Sequence, residues 1–133
     1  MKREIKFRGK NKKTGEWFYG NLYDKDTLGR THICTTKKGC LDIDPDTVGQ
    51  YTGLKDKNGK EIYEGDLVEI YSRDEDDEDE PIRIGEVKFI DGVFVLAYDK
   101  ITLPMNALYT ETLEVIGNIH DDKELLNKIY DYE

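Results

Sequence analysis

The chain has 133 residues, of which 37% are hydrophobic and 37% charged, and its formal net charge is −9. A chain of this length suits one domain or two small subdomains and buries roughly two-thirds of its unfolded surface, enough for a core without staples. No apolar run approaches the roughly 20 residues that span a bilayer, no apolar stretch follows the basic N-terminus as a secretory signal requires, and the charge is wrong for a general nucleic-acid binder.

These features predict a cytosolic protein, a setting in which Cys34 and Cys40 stay reduced. The charge is unevenly spread. Asp74, Glu75, Asp76, Asp77, Glu78, Asp79 and Glu80 are seven consecutive acids, and without them the remainder stands at −2. Nine tyrosines, four phenylalanines and one tryptophan supply much of the apolar area and favour strands.

In chain order, Ile5 and Phe7 alternate with charged neighbours and predict a strand over residues 3–8. Lys13-Thr14-Gly15 turns it back into a strand over 16–22, with Trp17 as core anchor. Residues 24–29 read as loop, 31–35 as a β-branched strand, and 40–43 as its return across Lys37-Lys38-Gly39. Asp44-Pro45-Asp46-Thr47 predicts a turn or a single helical turn, because proline presets φ and aspartate can cap.

Residues 48–68 carry four of the twelve glycines and read as a junction. Asn58-Gly59 is a two-residue turn signal, since both residues tolerate positive φ. Glu64-Gly65-Asp66 predicts a second tight turn launching a strand over 67–71. The acidic run then interrupts as a loop over 72–81, because adjacent like charges repel. A strand over 82–90 changes apolar phase between Ile84 and Val87, which a bulge at Gly85 would explain. Asp91-Gly92 is the strongest hairpin signal and leads into a strand over 93–98, apolar on both faces and so placed inside the sheet.

Residues 101–109 contain Pro104, lack periodicity and read as an irregular crossing or one helical turn. Leu113, Val115, Gly117 and Ile119 form the last strand. Asp121 with Glu124 resembles a capping box, followed by Leu125, Leu126, Ile129 and Tyr130 on one face of a short amphipathic helix. The fold expected is therefore mainly β. An N-terminal β-hairpin layer with the junction motif occupies residues 1–61. A small, bent Src-homology-3-like barrel with a short C-terminal amphipathic α-helix occupies 62–133.

No catalytic constellation stands out. Cys34 and Cys40 have five residues between them and no second pair, which does not fit a zinc site. His32 and His120 have no nucleophile in a recognisable motif. Asp56 and Asp66 sit where turns need side-chain acceptors. No catalytic, cofactor or metal residue is assigned. The residues left as interaction candidates are Tyr51 and Tyr63, as aromatic anchors, and the acids at 74–80, which could imitate a phosphate backbone.

The segments Arg3–Arg8, Val48–Val68 and Leu113–Ile119 together closely resemble the YopX family, small proteins of phages and prophages in Gram-positive bacteria. The resemblance covers essentially the whole chain. It implies a largely β fold and homo-oligomerisation, and it brings no catalytic residue. The function expected is a non-enzymatic oligomeric interaction module in the host cytoplasm, with a host protein as possible partner and neither membrane nor nucleic acid. The alternatives are inhibition of a host nucleic-acid-binding protein through the acidic run, and weak nucleic-acid binding by the small barrel.

Overall fold

The computed structural model describes residues 3–72 and 81–130, the side chain of Tyr130 excepted. The acidic run Asp74–Glu80 lies outside the described residues. The described chain is mostly β, in two five-stranded antiparallel sheets and one short helix. Its contacts divide it into two compact units, residues 1–53 and 54–133.

In the first unit β1 (Phe7–Lys10) pairs with β2 (Trp17–Tyr23), β2 with β3 (Thr31–Thr35), and β3 with the start of β4 (Gly39–Lys55). β4 then pairs back onto β1. The expected hairpin layer is thus closed into a ring of four strands. One long strand can serve two partners because its register breaks: Arg8 faces Gly49, whereas Lys10 faces Asp44. The residues expected as a turn, Asp44–Thr47, are part of β4 and form this irregularity. They keep turn-like bonds, with the Asp46 N–H on Asp44 Oδ1 and the Thr47 hydroxyl on the Asp44 carbonyl. The Lys10 N–H donates to Thr47 Oγ1 at 2.8 Å, so the ladder bond lost at the bulge is replaced by a side chain.

The core of this unit is Phe18, Ile33 and Ile43, with Phe7, Leu22, Leu41 and Val48 packed around them. Trp17 is not the anchor. Alternation along β2 points Phe18 inward and leaves Trp17 half-buried, with the Arg8 guanidinium 4.8 Å and the Lys10 ammonium 5.8 Å from its ring centre. Cys34 and Cys40 are not thiols. Register sets them directly opposite each other, Cα atoms 3.9 Å apart, and they form a disulfide.

In the second unit β5 (Glu61–Tyr63) follows a tight turn from β4. The turn differs from the two-residue form expected. The Gly59 N–H bonds the Asp56 carbonyl and only Gly59 is left-handed, with φ 81°, so the turn centres on Lys57-Asn58 and ends in a glycine bulge. β6 (Asp66–Tyr71), β7 (Pro81–Ile90), β8 (Val93–Tyr98) and β9 (Ile101–Pro104) form a meander. Two 3₁₀ turns, Met105–Ala107 and Thr110–Thr112, lead to β10 (Leu113–Asn118), which returns to pair with β6. The sheet order β10-β6-β7-β8-β9 is that of the expected small bent barrel. The first four residues of the expected irregular crossing are therefore a strand. Its place at the sheet edge tolerates Pro104.

Asp91-Gly92 forms the expected two-residue turn, with φ 52° and 81° and Ile90 opposite Val93. Gly85 is not a bulge. The irregularity lies between Ile70 and Tyr71, where Arg83 and Pro81 are the facing residues. Glycine is needed at 85 for space, because a Cβ there would lie 2.6 Å from Leu96 Cγ. The core combines Ile62, Val68, Val87, Leu96, Met105, Leu113 and Val115. The chain's only described helix, α1, spans Lys123–Tyr130. Its N-cap lies one residue later than expected: Leu125 and Leu126 donate to the Asp122 carbonyl, while the Asp122 carboxylate holds the Asn118 N–H of the preceding turn.

Candidate functional site

Tyr51 and Tyr63 are 5% and 2% exposed, and the Tyr63 hydroxyl donates to Glu61 Oε1 at 3.0 Å. Rings so placed offer little area to a partner. The carboxylates of the junction act on the backbone. Asp56 Oδ1 accepts the N–H groups of Asn58 and Lys60, Asp56 Oδ2 accepts that of Val115, and Asp66 Oδ2 accepts that of Tyr63 at 2.7 Å. Each is an acceptor for a turn that backbone pairing alone leaves unsatisfied.

His32 has an orienting acid that the sequence spacing did not suggest. Its Nε2 lies 2.9 Å from Asp26 Oδ2, and Arg30 Nε donates to the same oxygen. An ionised carboxylate only accepts, so the Nε2 atom carries the proton. The His32 hydrogen bond, followed by the Arg30 amide, holds the Asp26 carboxyl well below the usual carboxylate range. This resembles the base–orienter half of a hydrolytic triad. However, Nε2 faces the acid, and Nδ1 is buried without a hydrogen-bond partner among the described residues, so neither nitrogen is offered to a substrate.

Two further carboxylates meet on the second sheet. Glu69 and Glu114 are cross-strand neighbours, and the Tyr71 hydroxyl lies 3.2 and 3.3 Å from them. Lys57 Nζ sits 3.9 Å from the Tyr71 ring centre and 3.4 Å from Glu114. Desolvation, reinforced by Glu69 and Glu114, pushes the Tyr71 phenol up to about 12. The shared phenol and the ammonium offset a like-charge pair that would otherwise weaken the ladder. Among the described residues no group of three or more His, Cys, Asp or Glu could hold a metal ion. No helix among them is long and apolar enough to cross a membrane.

Large apolar side chains are open in the first unit at Ile5, Tyr19, Tyr23 and Leu28, and in the second at both ends of the meander sheet. At the β7–β8 tip Phe89, Ile90 and Val93 are 50%, 40% and 42% exposed. Phe89 packs edge-to-face on Phe94 at 4.9 Å, which stiffens the tip. At the other end of these strands, Ile82 and Ile101 are half exposed and border a groove of about 390 Å³. Ile84, Tyr98 and Ile129 also line it, and Arg83 and Lys128 flank it. Sequence reading missed these residues because alternation marks them as one more half-buried strand pair. Only the sheet order reveals which of them stay exposed.

The geometry defines an all-β protein that presents aliphatic and aromatic side chains on the strands of a small meander sheet. The family model described as YopX protein matches residues 6–127, and the chain belongs to that family. It is 36% identical over 123 residues to the SPbeta prophage-derived uncharacterized protein YopX of Bacillus subtilis (strain 168), an alignment that spans 89% of this chain and 81% of that protein. The crystal structure of protein EF1440 from Enterococcus faecalis is also similar, with a TM-score of 0.58 at 27% identity over 94% of this chain and 99% of the other.

Proposed function

We propose that this is a phage or prophage accessory protein that works as a non-enzymatic, self-associating interaction module in the host cytoplasm. The prophage origin in the name of the Bacillus subtilis relative supports the setting. The observation that carries self-association is the open apolar tip of the second sheet, with Phe89, Ile90 and Val93 each at least 40% exposed. Large side chains clustered in this way are stabilised by contact with another protein surface, and a second copy is always available at the same concentration. The non-enzymatic part is supported by the use of the candidate carboxylates and of His32 in turn and strand bonding. Size-exclusion chromatography with light scattering tests the proposal: an assembly at micromolar protein is expected, and a strict monomer overturns it.

A second reading rests on the seven consecutive acids at 74–80, which could occupy the basic groove of a host nucleic-acid-binding protein. Recovery of a basic partner from host lysate, lost when the seven acids are changed to Ser and Asn, is the expected result. Equal recovery by the neutralised chain disposes of it.

A further inference from the structure

We propose that Cys34 and Cys40 form a thiol–disulfide exchange site, open to dithiol reductants and disulfide oxidants while the protein stays folded. The two residues face each other in the β3–β4 register with Cα atoms 3.9 Å apart, so either thiol meets the other at high effective concentration. Their neighbours Ile33 and Leu41 belong to the core, and alternation turns the sulfurs to the opposite, outer side of the sheet. Cys40 is exposed and Cys34 half-buried, so an attacking thiolate reaches Cys40 first.

The bridge also holds together little that is not already held. The five residues between the cysteines are closed by the hairpin, with the Lys38 N–H on Thr35 Oγ1 at 2.8 Å and Thr35 and Gly39 paired in the ladder. A crosslink that closes so short and prefolded a loop removes little freedom from the unfolded chain.

The exchange balances as two successive displacements. A thiolate of the dithiol attacks Cys40 Sγ, the Sγ–Sγ bond breaks, and Cys34 leaves as a thiolate. The second thiol of the reductant then attacks its own sulfur in the mixed disulfide and expels the Cys40 thiolate. Two electrons pass to the protein, the two protons of the dithiol end on Cys34 and Cys40, and the reductant leaves as a cyclic disulfide. Oxidation by a small disulfide runs the same steps in reverse.

The test uses the full chain with dithiothreitol and maleimide trapping under native conditions, followed by mass and circular dichroism. Two maleimides per chain, an unchanged β spectrum and recovery of the bridge on adding oxidised dithiothreitol are expected. In single variants, the Cys40 thiol left by C34S should form a mixed disulfide with oxidised glutathione several-fold faster than the Cys34 thiol left by C40S. The doubly substituted C34S/C40S chain should keep the wild-type melting profile. Labelling that appears only with denaturant, or loss of the β spectrum on reduction, makes the bridge a structural staple and overturns the proposal.

Discussion

Asp56 Oδ2 accepts the backbone N–H of Val115 at 2.9 Å, across 59 positions of the chain. The other oxygen of the same carboxylate holds the turn that contains Asn58 and Gly59. The Lys57 N–H completes the connection on the Leu113 carbonyl. One buried side chain thus shapes a turn and also satisfies the outer edge of β10, which would otherwise expose unpaired amides. Asp56→Ala removes three charge-assisted acceptor bonds and is expected to cost about 3 kcal/mol. Denaturant unfolding measures this, and a change within experimental error would mean that the bonds are incidental.

Gly85 and Leu96 make a second test of packing. Gly85→Ala sets a methyl group against Leu96 Cγ and Cδ1 and should destabilise by about 1–3 kcal/mol. Leu96→Ala, itself costly, should partly relieve that effect. A double-mutant cycle with no coupling would show that the two residues do not compete for space.

The Asp26 carboxyl is depressed in the folded protein, chiefly by its bond to His32. Its stabilising contribution is therefore complete above the ordinary value of 3.8 and declines as pH falls below it. Asp26→Asn should flatten the acid side of the melting curve below pH about 4 relative to wild type, with the two curves parallel between there and neutral pH. Curves that stay parallel on the acid side as well would contradict the assignment.

Tyr71 shifts in the opposite sense. Its phenol titrates at about 12 when folded against 10.0 in the reference state, so its contribution is whole below 10.0 and is lost as pH rises toward 12. Tyr71→Phe should lessen the alkaline loss of stability. Absorbance titration of the phenolate difference between the two proteins locates the transition. A phenol ionising at its ordinary value would refute the placement between Glu69 and Glu114.

Phe89 and Ile90 separate assembly from folding. Both are exposed, so Phe89→Ser with Ile90→Ser should lower stability by no more than about 1 kcal/mol, mostly through the lost ring pair with Phe94. The same double change should reduce the mass measured by light scattering. An unchanged mass would move the self-association surface elsewhere.

Sequence reading was strongest where a few adjacent residues decide the geometry. Asp91-Gly92, the strand over Val93–Tyr98 and the backbone roles of Asp56 and Asp66 follow from φ preference, alternation and short side-chain acceptors. It was weaker where the same local signal serves several arrangements. The slip around Gly85 suggested a bulge, yet the glycine is there to admit Leu96 from a neighbouring strand. Trp17 looked like an anchor by size, but the register gave that place to Phe18. The interaction candidates were chosen as large aromatics in a dense motif, and Tyr51 and Tyr63 are buried within their own chain.

By itself, the amino-acid sequence determined the β class, most strand positions, the principal turns and the short terminal helix, because alternation, turn residues and capping act within a few positions. Tertiary structure alone decided three things: that β4 bends to close a ring on β1, that Cys34 and Cys40 meet as a disulfide, and which apolar side chains remain open. Each depends on which strands become neighbours, and pairing across tens of residues is set by the packing of the whole core.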